Sequence, residues 1–174
     1  MPPNPQVHVA LKLQDVDNYT MCNTTITRLS ETTFSTSDVC ALAGTYRVRL
    51  TEWVQRGILR PNGAEHGGNR GWRFCDVFVC ALCEQLRRRG VGSRVILRAV
   101  ADKIYTTKIT EDVSILTIGL HKTGHIKVAI LDRQEASRVV YSGEPVVTVD
   151  LFKGAAQLTE DVLQQIEEHQ KVNN

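Results

Sequence analysis

Cysteines are the side chains of this chain with the widest range of possible chemistry. Three of the five lie within nine positions, as Cys75, Cys80 and Cys83, and the last two have C-x-x-C spacing. Thiolates at such spacing can bind zinc or other soft metals. Here the pair lies among apolar residues of a predicted helix, where cysteine serves as a small buried side chain. We therefore predict no metal site and keep these three cysteines as the alternative.

Other constellations that could support catalysis are sparse. His121 and His125 flank a predicted turn, and two imidazoles alone would hold a metal ion weakly. The sequence contains no G-x-S-x-G, H-E-x-x-H or G-x-x-x-x-G-K-[ST] motif, the signatures of common nucleophile, zinc and phosphate sites. We expect a protein with no catalytic residues and no cofactor, which is not an enzyme.

Basic residues are distributed unevenly along the chain. The net charge of +2, from 21 basic and 19 acidic residues, argues by itself for neither nucleic acid nor membrane. Residues 31–105 hold twelve basic and seven acidic residues, a net of +5, and the remainder has a net of −3. Eleven of those twelve are arginines, which can bind a phosphate or a guanine edge through paired hydrogen bonds. This asymmetry is typical of a DNA-binding segment.

Composition and termini bound the class of protein. The 174 residues suit one domain or two small ones, and 42% apolar with 23% charged residues is typical of globular chains. Met1–Pro5 has neither the basic start nor the apolar run of a signal peptide. No run approaches the roughly 18–20 apolar residues of a membrane helix, and an odd cysteine count favours reduced thiols. We expect a cytoplasmic protein without a membrane partner.

Two short helices are predicted after residue 34. Ser35 is followed three residues later by Asp38, which is the start signature of a helix, and Gly44 ends it. A second helix follows and stops at Gly57, with Trp53 expected in the core because its ring buries a large area. Two short helices joined by a tight turn form a helix-turn-helix pattern.

A glycine-rich basic stretch follows the two helices. Residues 60–74 combine glycines and aromatics with Arg70 and Arg73, which predicts a hairpin loop, or wing. Apolar periodicity then predicts a third helix from about Asp76 to Arg89 and a fourth from Ser93 to about Tyr105.

Beyond residue 110 the apolar period changes from helical to alternating. Val113–Leu120 and Ile126–Ile130 read as a hairpin, with two further strands predicted at Arg138–Tyr141 and Pro145–Leu151. A helix is predicted at Leu158–His169.

Together these elements predict an α+β chain in three segments. Residues 1–30 form an N-terminal extension with one strand at Val7–Leu13, and residues 31–107 form a winged helix-turn-helix module that binds DNA. Residues 108–174 form a small β-rich module with a C-terminal helix, suited to dimerisation or interaction with a protein.

The runs Phe34–Gly44 and Arg49–Pro61, then Asn69–Phe74 and Leu86–Val91, carry a family likeness. In order and spacing they resemble the DNA-binding module of the MerR-like winged-helix transcription regulators. The resemblance covers about 70 of the 174 residues, and ends where the strands begin.

The resemblance implies a recognition helix in the major groove, with the wing along the backbone beside it. The N-cap of the first helix would direct backbone N–H groups toward a phosphate. Three residues of the second helix would contact bases or phosphates, and two wing arginines would bind phosphates. The implied DNA-contacting residues are Ser35, Arg47, Arg49, Thr51, Arg70 and Arg73.

We predict a sequence-specific, DNA-binding transcriptional regulator that acts as a homodimer on double-stranded DNA. Open strands such as Val146–Val149 are candidates for pairing between subunits. One alternative is an antitoxin-like autoregulator whose residues 108–174 bind a protein partner. Others are an excisionase-like architectural protein that bends DNA, and a regulator whose second module binds a small effector.

Overall fold

The structure, a computed structural model, describes residues 33–61, 71–107, 109, 112–120, 125–141 and 146–172. The sequence predictions that lie outside these residues include the strand at Val7–Leu13, residues 62–70 of the predicted wing with Arg70, and His121. Among the helices of the described ranges, none combines the length and the apolar character needed to cross a bilayer.

The described part of the chain is α+β, with six helices and two small antiparallel sheets. The elements of the first half are β1 (Thr33–Phe34), α1 (Thr36–Ala43), α2 (Arg47–Gln55), β2 (Trp72–Arg73), α3 (Phe74–Arg88) and α4 (Arg94–Thr106). Those of the second half are β3 (Val113–Leu120), β4 (Ile126–Asp132), α5 (Arg133–Tyr141), β5 (Val146–Asp150) and α6 (Leu151–Val172). The predicted α+β class is confirmed, and the winged helix-turn-helix arrangement stays a prediction.

Local hydrogen bonds set the limits of α1. Ser35 Oγ accepts a hydrogen bond from the N–H of Asp38 at 3.2 Å, and Asp38 Oδ2 accepts one from the N–H of Ser35 at 2.9 Å. This reciprocal pair satisfies two donors that the first turn leaves free. At the other end Gly44 adopts a left-handed conformation with φ of 60°, which glycine reaches without a steric penalty. The predicted start and end of this helix are confirmed.

Two very short strands form a small sheet in the first half of the molecule. β1 and β2 pair antiparallel, with Phe34 opposite Trp72 and Thr33 opposite Arg73. Trp72 is 2% exposed, and its indole Nε1 donates a hydrogen bond to Thr36 Oγ1 at 3.2 Å. The strand that directly follows residues 62–70 is therefore attached to the first turn of α1.

A three-stranded antiparallel sheet forms the centre of the second half, in the order β4-β3-β5. The predicted hairpin is confirmed as β3 and β4. In the register of the sheet, Leu116 of β3 pairs with Ile130 of β4 on one side and with Val149 of β5 on the other. Ile118, two residues further along β3, has the equivalent central position. Both β3 residues are buried, so this row of side chains faces the core.

The strand predicted at Arg138–Tyr141 is wrong, because these residues belong to α5. Asp132 Oδ1 accepts a hydrogen bond from the N–H of Glu135 at 2.8 Å and starts this helix. α5 contacts all three strands and buries Ala136. Packing of this small residue against the sheet stabilises a helix whose short apolar run resembles a strand.

The C-terminal helix begins earlier than predicted. The strand predicted at Pro145–Leu151 is confirmed as β5. Helix α6 follows this strand immediately at Leu151, seven residues before the expected start at Leu158. Asp150 Oδ1 accepts a hydrogen bond from the N–H of Lys153 at 3.0 Å, which caps the new helix. Gly154 lies against the Phe78 ring, where an added Cβ would come within 3.7 Å of it.

One hydrophobic cluster joins both halves of the molecule. It includes Trp53 of α2, Phe78 of α3, Leu116 of β3 and Leu158 of α6. Trp53 is 4% exposed, so its expected place in the core is confirmed. The two predicted modules share a core, and a boundary between them at residues 107 and 108 stays a prediction.

Candidate nucleic-acid interface

The start of α2 presents an exposed face. Arg47 is the first residue of the helix and Thr51 lies one turn later, and both are exposed. The Thr51 hydroxyl donates a hydrogen bond to the Arg47 carbonyl at 3.0 Å, and Val48 beside them is 81% exposed. Trp53, on the opposite side of the helix, is buried. Two of the predicted DNA-contacting residues therefore lie together on one accessible face.

Arg49 has different surroundings from Arg47 and Thr51. Its side chain is 25% exposed, and Nη1 lies 3.3 and 3.2 Å from the two carboxylate oxygens of Glu84 on α3. Its guanidinium carbon also lies 5.3 Å from the centre of the Tyr46 ring, within the range of a cation–π contact. The third predicted contact residue on α2 is thus held in place by two neighbouring groups.

Glu84 is the centre of an arginine cluster that the sequence reasoning missed. Its side chain is 2% exposed, and it accepts hydrogen bonds from Arg87 Nη2 at 2.7 Å and Arg88 Nε at 3.2 Å as well as from Arg49. Burial alone would raise the pKa of Glu84, but the bonds from these three arginines lower that pKa to about 2. The sequence signal that could have indicated this cluster is the position of Arg87 and Arg88, three and four residues after Glu84 on the same helix.

The cluster also binds the turn between α1 and α2. Arg88 Nη2 donates a hydrogen bond to the carbonyl of Gly44, the residue that ends α1. The side chains of Arg87 and Arg88 are 39% and 60% exposed. The end of α3 therefore meets the helix-turn-helix pattern through partly exposed guanidinium groups.

Arg73 and Ser35 lie near each other at the base of the predicted wing. Arg73 is exposed on β2 opposite Thr33, two residues before Ser35. Within the described ranges, Arg73 forms no ion pair. The capping pair of Ser35 and Asp38 leaves the N–H groups of Thr36 and Ser37, at the start of α1, without a partner in a preceding turn.

A hydrogen-bond network joins both ends of the predicted wing to α4. The buried Asp76 accepts from the N–H of Arg73 and from the Tyr105 hydroxyl, each at 2.9 Å. Burial raises the pKa of Asp76, and these two hydrogen bonds partly offset the rise. The N–H of Arg60 lies 3.5 Å from the same hydroxyl, and its guanidinium pairs with Asp102.

The three candidate cysteines do not form a common site. Cys75 is exposed at the start of α3, whereas Cys80 and Cys83 lie in the core. Desolvation raises the pKa of the two buried thiols, to about 12 for Cys83, and metals bind the thiolate form. Among the residues that the structure describes, no group of three potential ligands is placed to hold a metal ion.

A small cavity lies between α3 and the start of α6. It has a volume of about 110 Å³ and is lined by residues that include Phe78, Gln85 and Gly154. Ligand sites usually have at least roughly 300 Å³. This cavity is smaller than that.

No model of a protein family matches this chain, and no curated protein matches it either. Any assignment of function therefore depends on the exposed face of α2, the arginines around Glu84 and the base of the predicted wing.

Proposed function

We propose that this chain is a sequence-specific DNA-binding transcriptional regulator that acts as a homodimer. In this proposal α2 is the recognition helix and residues 60–74 contain the wing. The observation that carries it is the grouping of arginines around the start of α2. Arg47 is exposed there, and Arg49 contacts the cluster formed with Arg87 and Arg88.

The packing of the helices supports this role for α2. α1 contacts both α2 and α3, so the exposed helix rests on a rigid base. Leu50 and Trp53 bury one side of α2, while Arg47 and Thr51 stay accessible. A helix fixed in this way can present its first turns to base edges in the major groove.

The base of the wing supports a role in phosphate binding. Arg73 is exposed, and its backbone is held by Asp76 and by the pairing of β2 with β1. Ser35 and the start of α1 lie beside it. An arginine and a helix N-terminus both favour a phosphate oxygen, and backbone contacts of this kind set the register of a protein on DNA.

The homodimer is proposed from the sheet. In the described residues β4 and β5 each have one neighbouring strand, so each leaves a row of backbone groups that a second strand could pair with. Two copies related by a two-fold axis would suit a palindromic site, whose half-site spacing reports the dimer geometry.

The test begins with selection of a preferred duplex from a randomised library and measures affinity by fluorescence anisotropy. Arg47→Ala and Arg73→Ala are each expected to weaken binding by roughly tenfold, the usual effect of removing an arginine that binds a base or a phosphate. Arg138→Ala removes an exposed arginine from α5 and serves as the matched control. If neither variant differs from this control, the assignments of recognition helix and wing are wrong.

Two measurements separate this proposal from the alternatives. A stable heterologous protein that co-purifies in fixed ratio through residues 108–174 would favour the antitoxin-like autoregulator. A large bend in circular-permutation gel shifts would favour the architectural protein. A lone homodimer on weakly bent DNA agrees with the regulator.

A further inference from the structure

We infer that Glu84 is a positioning residue, whose buried carboxylate gathers Arg49, Arg87 and Arg88 into one phosphate-binding cluster at the start of α2. The inference rests on the proposed DNA-binding function and adds a site that the sequence did not indicate. Its ligand is a phosphate of duplex DNA beside the recognition helix.

Charge is the first argument for a ligand. Glu84 can neutralise one guanidinium, yet three contact it, so the cluster retains two positive charges in excess. Like charges held within one cluster repel each other, and a further anion relieves that repulsion. The arginine side chains are 25%, 39% and 60% exposed, against 2% for Glu84. An anion from solvent can therefore reach the cations while the carboxylate stays covered.

Hydrogen bonding leads to the same conclusion. Glu84 Oε1 accepts from all three arginines, and Oε2 accepts from Arg49 and Arg87. The carboxylate is thus saturated, but a guanidinium has five N–H donors, and Arg49 directs only Nη1 to Glu84. Phosphate oxygens accept from such donors in paired, charge-assisted hydrogen bonds.

The position of the cluster suits DNA rather than a free anion. Arg49 belongs to the first turn of α2, and Arg88 binds the carbonyl of Gly44 in the preceding turn. The cluster therefore lies at the same end of α2 as the exposed Arg47. A phosphate bound there would fix the angle at which α2 enters the groove, which is how backbone contacts help base readout.

A buried ion pair that serves stability alone would have a simpler form. One arginine is enough to compensate a buried carboxylate, and further charges add desolvation cost. Three arginines from two helices exceed that need, because Arg87 and Arg88 both reach Glu84 from its own helix and Arg49 reaches it from α2. The excess is explained if the arginines also bind a ligand.

The test compares Glu84→Gln with the wild-type chain on a short mixed-sequence duplex, with affinity measured over a series of KCl concentrations. Positioning predicts weaker binding and a shallower dependence of log K on log[KCl], by about 0.9 for each phosphate that the variant no longer neutralises. Glu160→Gln is the matched control, because Glu160 is an exposed carboxylate of α6, outside the proposed recognition helix and wing. Its slope is expected to equal that of the wild type.

A different result is expected if Glu84 does not position the arginines. If Glu84 acts only as a negative charge, Glu84→Gln binds the duplex as tightly as the wild type or more tightly, with an unchanged slope, and the inference is overturned. Circular dichroism checks that Glu84→Gln folds. Arg87→Ala provides a second test, which does not depend on the folding of Glu84→Gln. Its slope is expected to fall by about 0.9, and an unchanged slope would also overturn the inference.

The two proposals fail in different ways. A wild-type chain that binds no duplex in a salt-dependent manner would overturn both the function and the cluster. A wild-type chain that selects one sequence, with Glu84→Gln and Arg87→Ala showing the same salt slope, would overturn only the cluster.

Discussion

Trp72 Nε1 donates a hydrogen bond to Thr36 Oγ1 over 3.2 Å, although the two residues are 36 positions apart in the chain. The indole is 2% exposed, so the bond lies largely away from water. It joins β2, at the end of the predicted wing, to the first turn of α1. The orientation of Arg73, the next residue, depends on this attachment.

Trp72→Phe is expected to lower the free energy of unfolding by about 1–2 kcal/mol beyond the effect of the smaller ring, because the Thr36 hydroxyl loses its donor. Urea denaturation followed by circular dichroism measures the change. Trp53→Phe makes the same replacement at another buried tryptophan, whose indole has no side-chain hydrogen bond among the described residues. Equal losses in the two variants would contradict a role for the bond.

Gly44→Ala is expected to destabilise the fold more than Gly57→Ala. Both glycines have left-handed backbones, with φ of 60° and 68°, so alanine at either position has a similar strain of roughly 1–2 kcal/mol. At Gly44 the new Cβ would also lie 3.1 Å from Arg88 Nη2, whereas at Gly57 it meets open space. Thermal unfolding of Gly44→Ala and Gly57→Ala measures the difference in their stability.

The difference between these glycines has a direct check. In an Arg88→Ala background the close approach is absent, and Gly44→Ala should then destabilise the fold as little as Gly57→Ala does. A difference that persists in this background would show that Arg88 is not its cause.

Tyr105→Phe is expected to lower the free energy of unfolding by about 1–3 kcal/mol at neutral pH, because the buried Asp76 carboxylate loses a hydroxyl donor. Removal of that donor raises the pKa of Asp76 further above its ordinary value. A carboxyl group with a raised pKa in the folded state stabilises folding in acid and loses that contribution as pH rises through this pKa. The deficit of Tyr105→Phe should therefore shrink as the pH is lowered.

Unfolding measured across a pH series tests this expectation. Tyr46→Phe removes a hydroxyl from a residue that is 67% exposed and should have little effect at any pH. A deficit for Tyr105→Phe that stays constant from neutral to acidic pH would argue against its link to Asp76.

Glu84 gives an opposite pH dependence. Its pKa falls from an ordinary 4.5 to about 2 in the folded state, since the hydrogen bonds from arginine outweigh its burial. The stabilisation is therefore complete above pH 4.5 and is lost as pH falls from there toward 2. Glu84→Gln should lose stability more slowly than the wild type in this range. Melting temperatures of the wild type and of Glu84→Gln, measured across these pH values, test this expectation.

Elements defined by neighbouring residues could be predicted well. Ser35, Asp38 and Gly44 marked the limits of α1 because caps are interactions within one turn. Alternating apolar residues predicted the β3–β4 hairpin, since side chains of a strand alternate between its two faces. α5 was missed because its helical form depends on Ala136 packing against the sheet, a contact that periodicity does not reveal.

The candidate site divides in the same way. The family resemblance of the sequence, together with its arginine content, implied Arg47, Arg49 and Arg73 as DNA-contacting candidates. Nothing in the local sequence linked Arg49 to Glu84, which lies 35 residues further along.

The sequence by itself determined the limits of α1, the β3–β4 hairpin and the excess of arginine in residues 31–105, because capping, periodicity and charge are properties of neighbouring residues. Only the tertiary structure decided which of the described arginines share a carboxylate and which lie exposed at the surface. That choice depends on how α2 and the end of α3 come together, and the position of the buried Glu84 follows from the packing of the whole core.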